Sequence, residues 1–109
     1  MTDRELLEKA AKAVGIVIED WTGDTPRVIK MFRGHSPRYS EWNPLDDDGD
    51  ALRLAVKLKL EIDIGNGIAA RTQRGEKILI DAKEEACAYA ATRRAIVRAA
   101  ASITKEQQT

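Results

Sequence analysis

The sequence predicts an α+β fold, with three helices packed on a mainly antiparallel sheet of four to five short strands in the order α-β-β-α-β-β(-β)-α. Three observations carry this expectation. Two amphipathic helical patterns and a long alanine-rich one are separated by short β-branched runs. Those runs come in sequential pairs, joined by turn residues over a few positions. Adjacent strands joined by tight turns are antiparallel, and helices with one apolar stripe must bury it on such a sheet.

The first helix is expected over residues 3–14. Thr2 and Glu5 form a capping box, in which the threonine hydroxyl accepts from the Glu5 amide and the glutamate reaches back to the cap. Leu6, Leu7, Ala10, Ala11, Ala13 and Val14 share one side of the wheel, Glu5, Glu8, Lys9 and Lys12 the other, and Gly15 stands where a left-handed C-cap belongs. Ile16–Trp21 and Arg27–Phe32 follow as a hairpin around Thr22-Gly23-Asp24-Thr25-Pro26, and Gly34–Glu41 reads as a polar loop.

At Trp42-Asn43-Pro44 an aromatic anchor meets a proline stop. Pro44 disfavours helix at Asn43, and Asp46, Asp47, Asp48 and Asp50 suit the positive end of a following helix. In that helix Ala51, Leu52, Leu54, Ala55, Val56 and Leu58 cover more than half the circumference and leave Asp50, Arg53 and Lys57 as the wet edge. Such a helix is expected to be clamped on more than one side, or to hide a homodimer interface. Glu61-Ile62-Asp63-Ile64 alternates as a strand with one face to the core and one to water. Gly65-Asn66-Gly67 turns the chain into strands at Ile68–Gln73 and Lys77–Asp81. Asp81-Ala82-Lys83-Glu84 is a second capping-box candidate, opening a helix from about residue 83 to 104, and residues 105–109 are expected to fray. Residues 1–104 are expected to form a single domain.

Composition narrows the function classes. A chain of 109 residues is long enough to bury roughly two-thirds of its unfolded surface. Its 43% hydrophobic and 33% charged residues describe a globular protein rather than a disordered one. Eighteen acids balance 18 bases, so no global field favours nucleic acid or an anionic membrane. One cysteine, Cys87, excludes an internal disulfide and suits a reducing cytoplasm. No apolar run has the length of a membrane span, and Met1-Thr2-Asp3-Arg4-Glu5 is unlike a signal peptide.

Enzyme signatures fail. One histidine and one cysteine make no zinc site. His35 lies in a loop of Ser36, Pro37 and Arg38, as a surface histidine would. The run Asp46–Asp50 lacks the glycine and glutamate that a calcium loop needs, with Ala51 and Lys57 in their places. No catalytic residue, metal ligand or cofactor site is expected.

Two features point to binding instead. Arg93 falls within the apolar stripe of Ala86, Tyr89, Ile96, Val97, Ala100 and Ile103, with Arg94 and Arg98 on the outward side. A guanidinium on a core face must be paired or must reach a cleft. It is either an anchor to a carboxylate or an aromatic ring, or, with Tyr89 and Thr92, part of a pocket for a small anionic ligand. The second feature is the basic run Arg27, Lys30, Arg33, His35 and Arg38, interleaved with Phe32, Tyr39 and Trp42. Exposed rings among cations suit a nucleotide or single-stranded nucleic acid, whereas buried rings would leave only a solvated basic hairpin. Arg33 and Arg38 are thus the hairpin's candidate ligand contacts, and zero net charge argues against nucleic acid.

Trp42-Asn43-Pro44, the acidic linker, Asp50–Leu58 and the closing stretch Tyr89–Ala100 together resemble the bacteriophage ABA sandwich domain, including the NinX-type accessory proteins. The resemblance covers roughly residues 42–103, and the N-terminal helix and hairpin match more loosely. It implies a phage or prophage accessory protein with no recognised catalytic residues. With the missing catalytic constellation, the expectation is a non-enzymatic factor in the bacterial cytoplasm that binds a host protein, for example one in defence or replication.

Overall fold

In the computed structural model, which describes residues 2–30, 38–65, 67–80 and 87–107, the chain runs as α1 (Asp3–Val14), β1 (Ile18–Thr22), β2 (Thr25–Lys30), β3 (Arg38–Glu41), α2 (Asp48–Leu58), β4 (Glu61–Asp63), β5 (Ile68–Arg71), β6 (Lys77–Ile80) and α3 (Ala88–Gln107). The fold is α+β and antiparallel, as expected. The six strands of the described residues form two three-stranded sheets, β1-β2-β3 and β4-β5-β6, with α2 between them in the chain.

The additional strand is β3, at the end of the stretch read as a polar loop. Arg38-Tyr39-Ser40-Glu41 has no apolar alternation to announce it. Its residues pair with β2 from Arg27↔Glu41 to Lys30↔Arg38. Backbone hydrogen bonding to the otherwise open edge of β2, not side-chain burial, makes this segment a strand. β1 and β2 meet at Thr22↔Thr25 across the two-residue turn Gly23-Asp24, where Gly23 takes φ 61° without the steric cost of a Cβ.

α1 matches its sequence signals closely. Thr2 Oγ1 accepts from the Glu5 amide at 3.2 Å, the Thr2 amide donates to Glu5 Oε2 at 3.2 Å, and Gly15 is left-handed. At the other end of the chain the capping-box candidate Asp81–Glu84 lies outside the described residues. Helix α3 starts at Ala88 and continues through Lys105, Glu106 and Gln107, past the end expected at Thr104.

Helix α3 is the centre of the molecule. One of its faces, Ile96, Val97, Ala100 and Ala101, joins Leu6, Leu7, Ala10, Ala11 and Val14 of α1, Val28 of β2, Trp42, and Ala51, Leu54 and Ala55 of α2. Its other face, Ala91, Ala95 and Ala99, lies on Ile68, Ala70 and Ile80 of the second sheet. Alanines let sheet and helices approach closely from both sides. No helix of the described residues covers the far face of the β4–β6 sheet: the register rows Glu61–Arg71–Lys77 and Asp63–Ala69–Leu79 carry exposed side chains apart from the small Ala69.

One expectation for α2 is reversed. Asp50, placed by the helical wheel on the wet edge, is buried, whereas Leu52 and Val56 are 60% and 68% exposed. The reason is the junction. Trp42 is buried, and its amide donates to the Pro26 carbonyl at 3.0 Å. The next amide, of Asn43, donates to Asp50 Oδ2 at 3.0 Å, while Arg53 donates to Asp50 Oδ1 at 2.7 Å. The carboxylate turns inward to hold the entering chain, so the opposite flank of α2 faces solvent. Truncating the buried indole, Trp42→Ala, is expected to destabilise the protein by about 3–5 kcal/mol, and an unchanged midpoint in urea unfolding would sink its role as anchor.

Candidate functional site

The groove that stands out lies where α2, α3 and the β4 end of the second sheet meet, and its volume is about 620 Å³. Its bottom is formed by Ala51 and Ile96, both buried, with Ile62 beside them. Its walls are Leu52, Ile64 and Tyr89, which are 60%, 56% and 72% exposed. Three large apolar side chains converging on one concavity are more than scattered surface hydrophobes, and such patches mark binding surfaces.

The Arg93 and Thr92 side chains at this groove are already engaged. Arg93 Nε donates to the Leu45 carbonyl at 2.9 Å, and its Nη1 donates to Asp48 Oδ1 at 2.6 Å. Its side chain is only 16% exposed. The guanidinium therefore joins α3 to the first turn of α2, where an aspartate also suits the helix dipole. Thr92 Oγ1 donates back to the Ala88 carbonyl at 2.8 Å. Tyr89 stands at the rim with its ring in solvent. Of the three residues read as one ligand cluster, Arg93 and Thr92 are held by protein partners, and Tyr89 stands exposed at the wall of the groove.

The outward side assigned to Arg94 is corrected by the structure. Its guanidinium donates to Asp3 of α1 at 3.0 Å and is largely covered. Two successive arginines of α3 thus reach the opening turns of the two other helices, Arg93 to α2 and Arg94 to α1. The 100° step between neighbouring helical positions permits this only because α3 lies between its partners. The sequence signal was present in the acidic first turns, at Asp3 and Asp48, but pairing across the chain is not visible in a helical wheel.

Of the basic hairpin, the described side chains are those of Arg27, Tyr39 and Trp42. Arg27 binds both carboxylate oxygens of Asp20 and stacks on Tyr39, 5.3 Å from the ring centroid. Trp42 is buried and has no face for a base. Arg38 opens β3 opposite Lys30. Phe32, Arg33 and His35 lie outside the described residues. A separate stack pairs Arg4 with Trp21 at 4.4 Å, tying α1 to the hairpin.

The acidic run before α2 has structural work too. Asp47 caps the helix by accepting from the Asp50 amide at 2.8 Å, Asp48 receives Arg93, and Asp50 receives Asn43 and Arg53. Asn43 Oδ1 accepts from the Leu45 amide at 3.1 Å, fixing the turn through Pro44. Among the described residues no group of three or more His, Cys, Asp or Glu side chains could hold a metal ion, and no helix is long and apolar enough to cross a membrane.

Comparison with family models, with curated proteins and with solved structures finds no match to this chain.

Two outcomes follow from these pairs. Arg93→Met is expected to cost about 1–3 kcal/mol, chiefly because the Leu45 carbonyl loses its donor. Asp48→Asn, which touches only the exposed end of the pair, should cost no more than about 1 kcal/mol, and equal losses in urea unfolding would refute this division. At the hairpin, the hydrogen bond from Arg27 holds the Asp20 carboxyl below the usual aspartate range. A carboxyl whose pKa is lower in the folded state contributes stability above its unfolded pKa and loses it as pH falls through the folded value. NMR titration should find Asp20 depressed, and Arg27→Met should return it to an ordinary aspartate value.

Proposed function

We propose that this protein works by binding another protein at the α2–α3–β4 groove and catalyses no reaction of its own. The observation that carries this reading is the exposure of Leu52, Ile64 and Tyr89 around one groove. A site for a small anionic ligand needs a few convergent polar groups free to meet it. Here the guanidinium of Arg93 is neutralised by Asp48 and occupied by the Leu45 carbonyl, and the Thr92 hydroxyl is spent on its own helix. An apolar surface of a partner protein matches what the groove presents.

The resemblance of residues 42–103 to phage ABA sandwich domains supports the choice of partner: a protein of the bacterial host, met in the cytoplasm by a phage or prophage accessory factor. Neutral net charge and small size suit such a factor, which must reach its partner without being held on nucleic acid.

Affinity capture from bacterial lysate tests the reading. The wild-type protein is expected to retain a defined host protein. Leu52→Asp and Tyr89→Asp, both at exposed positions and so within about 0.5 kcal/mol of wild-type stability, should each reduce that recovery about tenfold or more. Capture that is empty, or that survives both substitutions, would refute the groove as the binding surface.

A further inference from the structure

The groove is bordered by the edge of a sheet. In the order β4-β5-β6, β4 has a strand neighbour on one side only among the described residues, and Ile62 and Ile64, two positions apart, both line the groove. Ile62 lies in the register row Ile62–Ala70–Ile78, the row that faces α3. Glu61 and Asp63 point the other way and are exposed. We infer that the partner supplies an extended segment that adds to the sheet beside β4. Its inward side chains are apolar and fill the groove against Leu52, and its outward side chains are lysine or arginine, set opposite Glu61 and Asp63. This rests on the protein-binding reading above and specifies the chemistry of the partner.

Three physical arguments select this occupant. An edge strand presents unpaired N–H and C=O groups, which an incoming strand satisfies and a docking helix does not. Among the described residues the sheet ends at β4, and the flank of α2 that carries Leu52, which lines the same groove, and Val56 is exposed. A strand one spacing of about 4.8 Å further out would carry side chains on the helix-facing side towards that flank. Charge decides between partners. Across the sheet Glu61 lies opposite Arg71 of β5, while Asp63 lies opposite Ala69 and has no charged residue in its pairing position. A second copy of the chain joined edge to edge would oppose acid to acid, which is destabilising, whereas a basic strand gains from both positions.

The test uses three capped synthetic peptides and the full chain labelled for NMR. The first is Lys-Val-Lys-Val-Lys-Val-Lys. The second holds the same residues reordered to helical periodicity, and the third replaces lysine with glutamate. The alternating basic peptide is expected to shift the Ile62 and Asp63 amides and the Leu52 methyls saturably. The double variant Glu61→Lys/Asp63→Lys should weaken it about tenfold and should bind the acidic peptide in its place. The inference is overturned if no peptide binds, if the reordered peptide binds equally well, or if charge reversal leaves the preference unchanged. It is also overturned if the free protein is a dimer whose β4 amides are already paired. Equal binding of the reordered peptide at Leu52 would leave the protein-binding reading standing, whereas loss of that reading shows separately, as lysate capture indifferent to Leu52→Asp.

Discussion

The fold depends on how the chain enters α2. Between Trp42 and Asp50 the backbone must leave β3, turn at Pro44 and start a helix, which exposes amides and carbonyls that no strand or helix partner satisfies. Asp50 and Arg93 meet that need from two sides. The buried carboxylate of Asp50 takes the Asn43 amide from below, and the guanidinium of Arg93 reaches the Leu45 carbonyl from α3. Each charge is balanced in place, Asp50 by Arg53 and Arg93 by Asp48. Buried charges left unpaired would be strongly destabilising, so the four residues act together. Through them the hairpin sheet, α2 and α3 are held in one arrangement.

That arrangement explains the exposed flank of α2. A helix whose apolar residues cover more than half its surface can satisfy its neighbours in several rotations. The inward pull of Asp50 selects one of them, with Ala51, Leu54 and Ala55 in the core and Leu52 and Val56 outside it. The groove beside Tyr89 is a consequence of this choice. Among the described residues the second sheet ends at β4 and nothing closes over the groove, which lies where the packing of these elements runs out.

The alanines of α3 matter to the same geometry. Ala91, Ala95 and Ala99 on one face and Ala100 and Ala101 on the other leave little side-chain bulk between the sheet and the two other helices. Arg93 and Arg94 lie between these faces, so their guanidinium groups emerge at the helix flanks, where the first turns of α2 and α1 supply acids. Close packing and electrostatic pairing therefore use the same helix without competing for its surface.

The sequence alone determined the elements whose signals are local. The capping box and left-handed Gly15 fixed α1, the turn glycines and β-branched runs marked the strand pairs β1-β2 and β4-β5, and Pro44 with its aspartates fixed the start of α2, because each depends on residues within a few positions of one another. The α+β class followed from their order. What only the tertiary structure decided are relations between distant segments. β3 is a strand because β2 offers it an edge, Arg93 and Arg94 are anchors because α3 lies between two acidic helix starts, and Asp50 is inside because Asn43 must be bonded. The groove belongs to this second kind. Leu52 and Tyr89 looked like core positions on their wheels, and their periodicity could not reveal that they stand exposed at the walls of a groove.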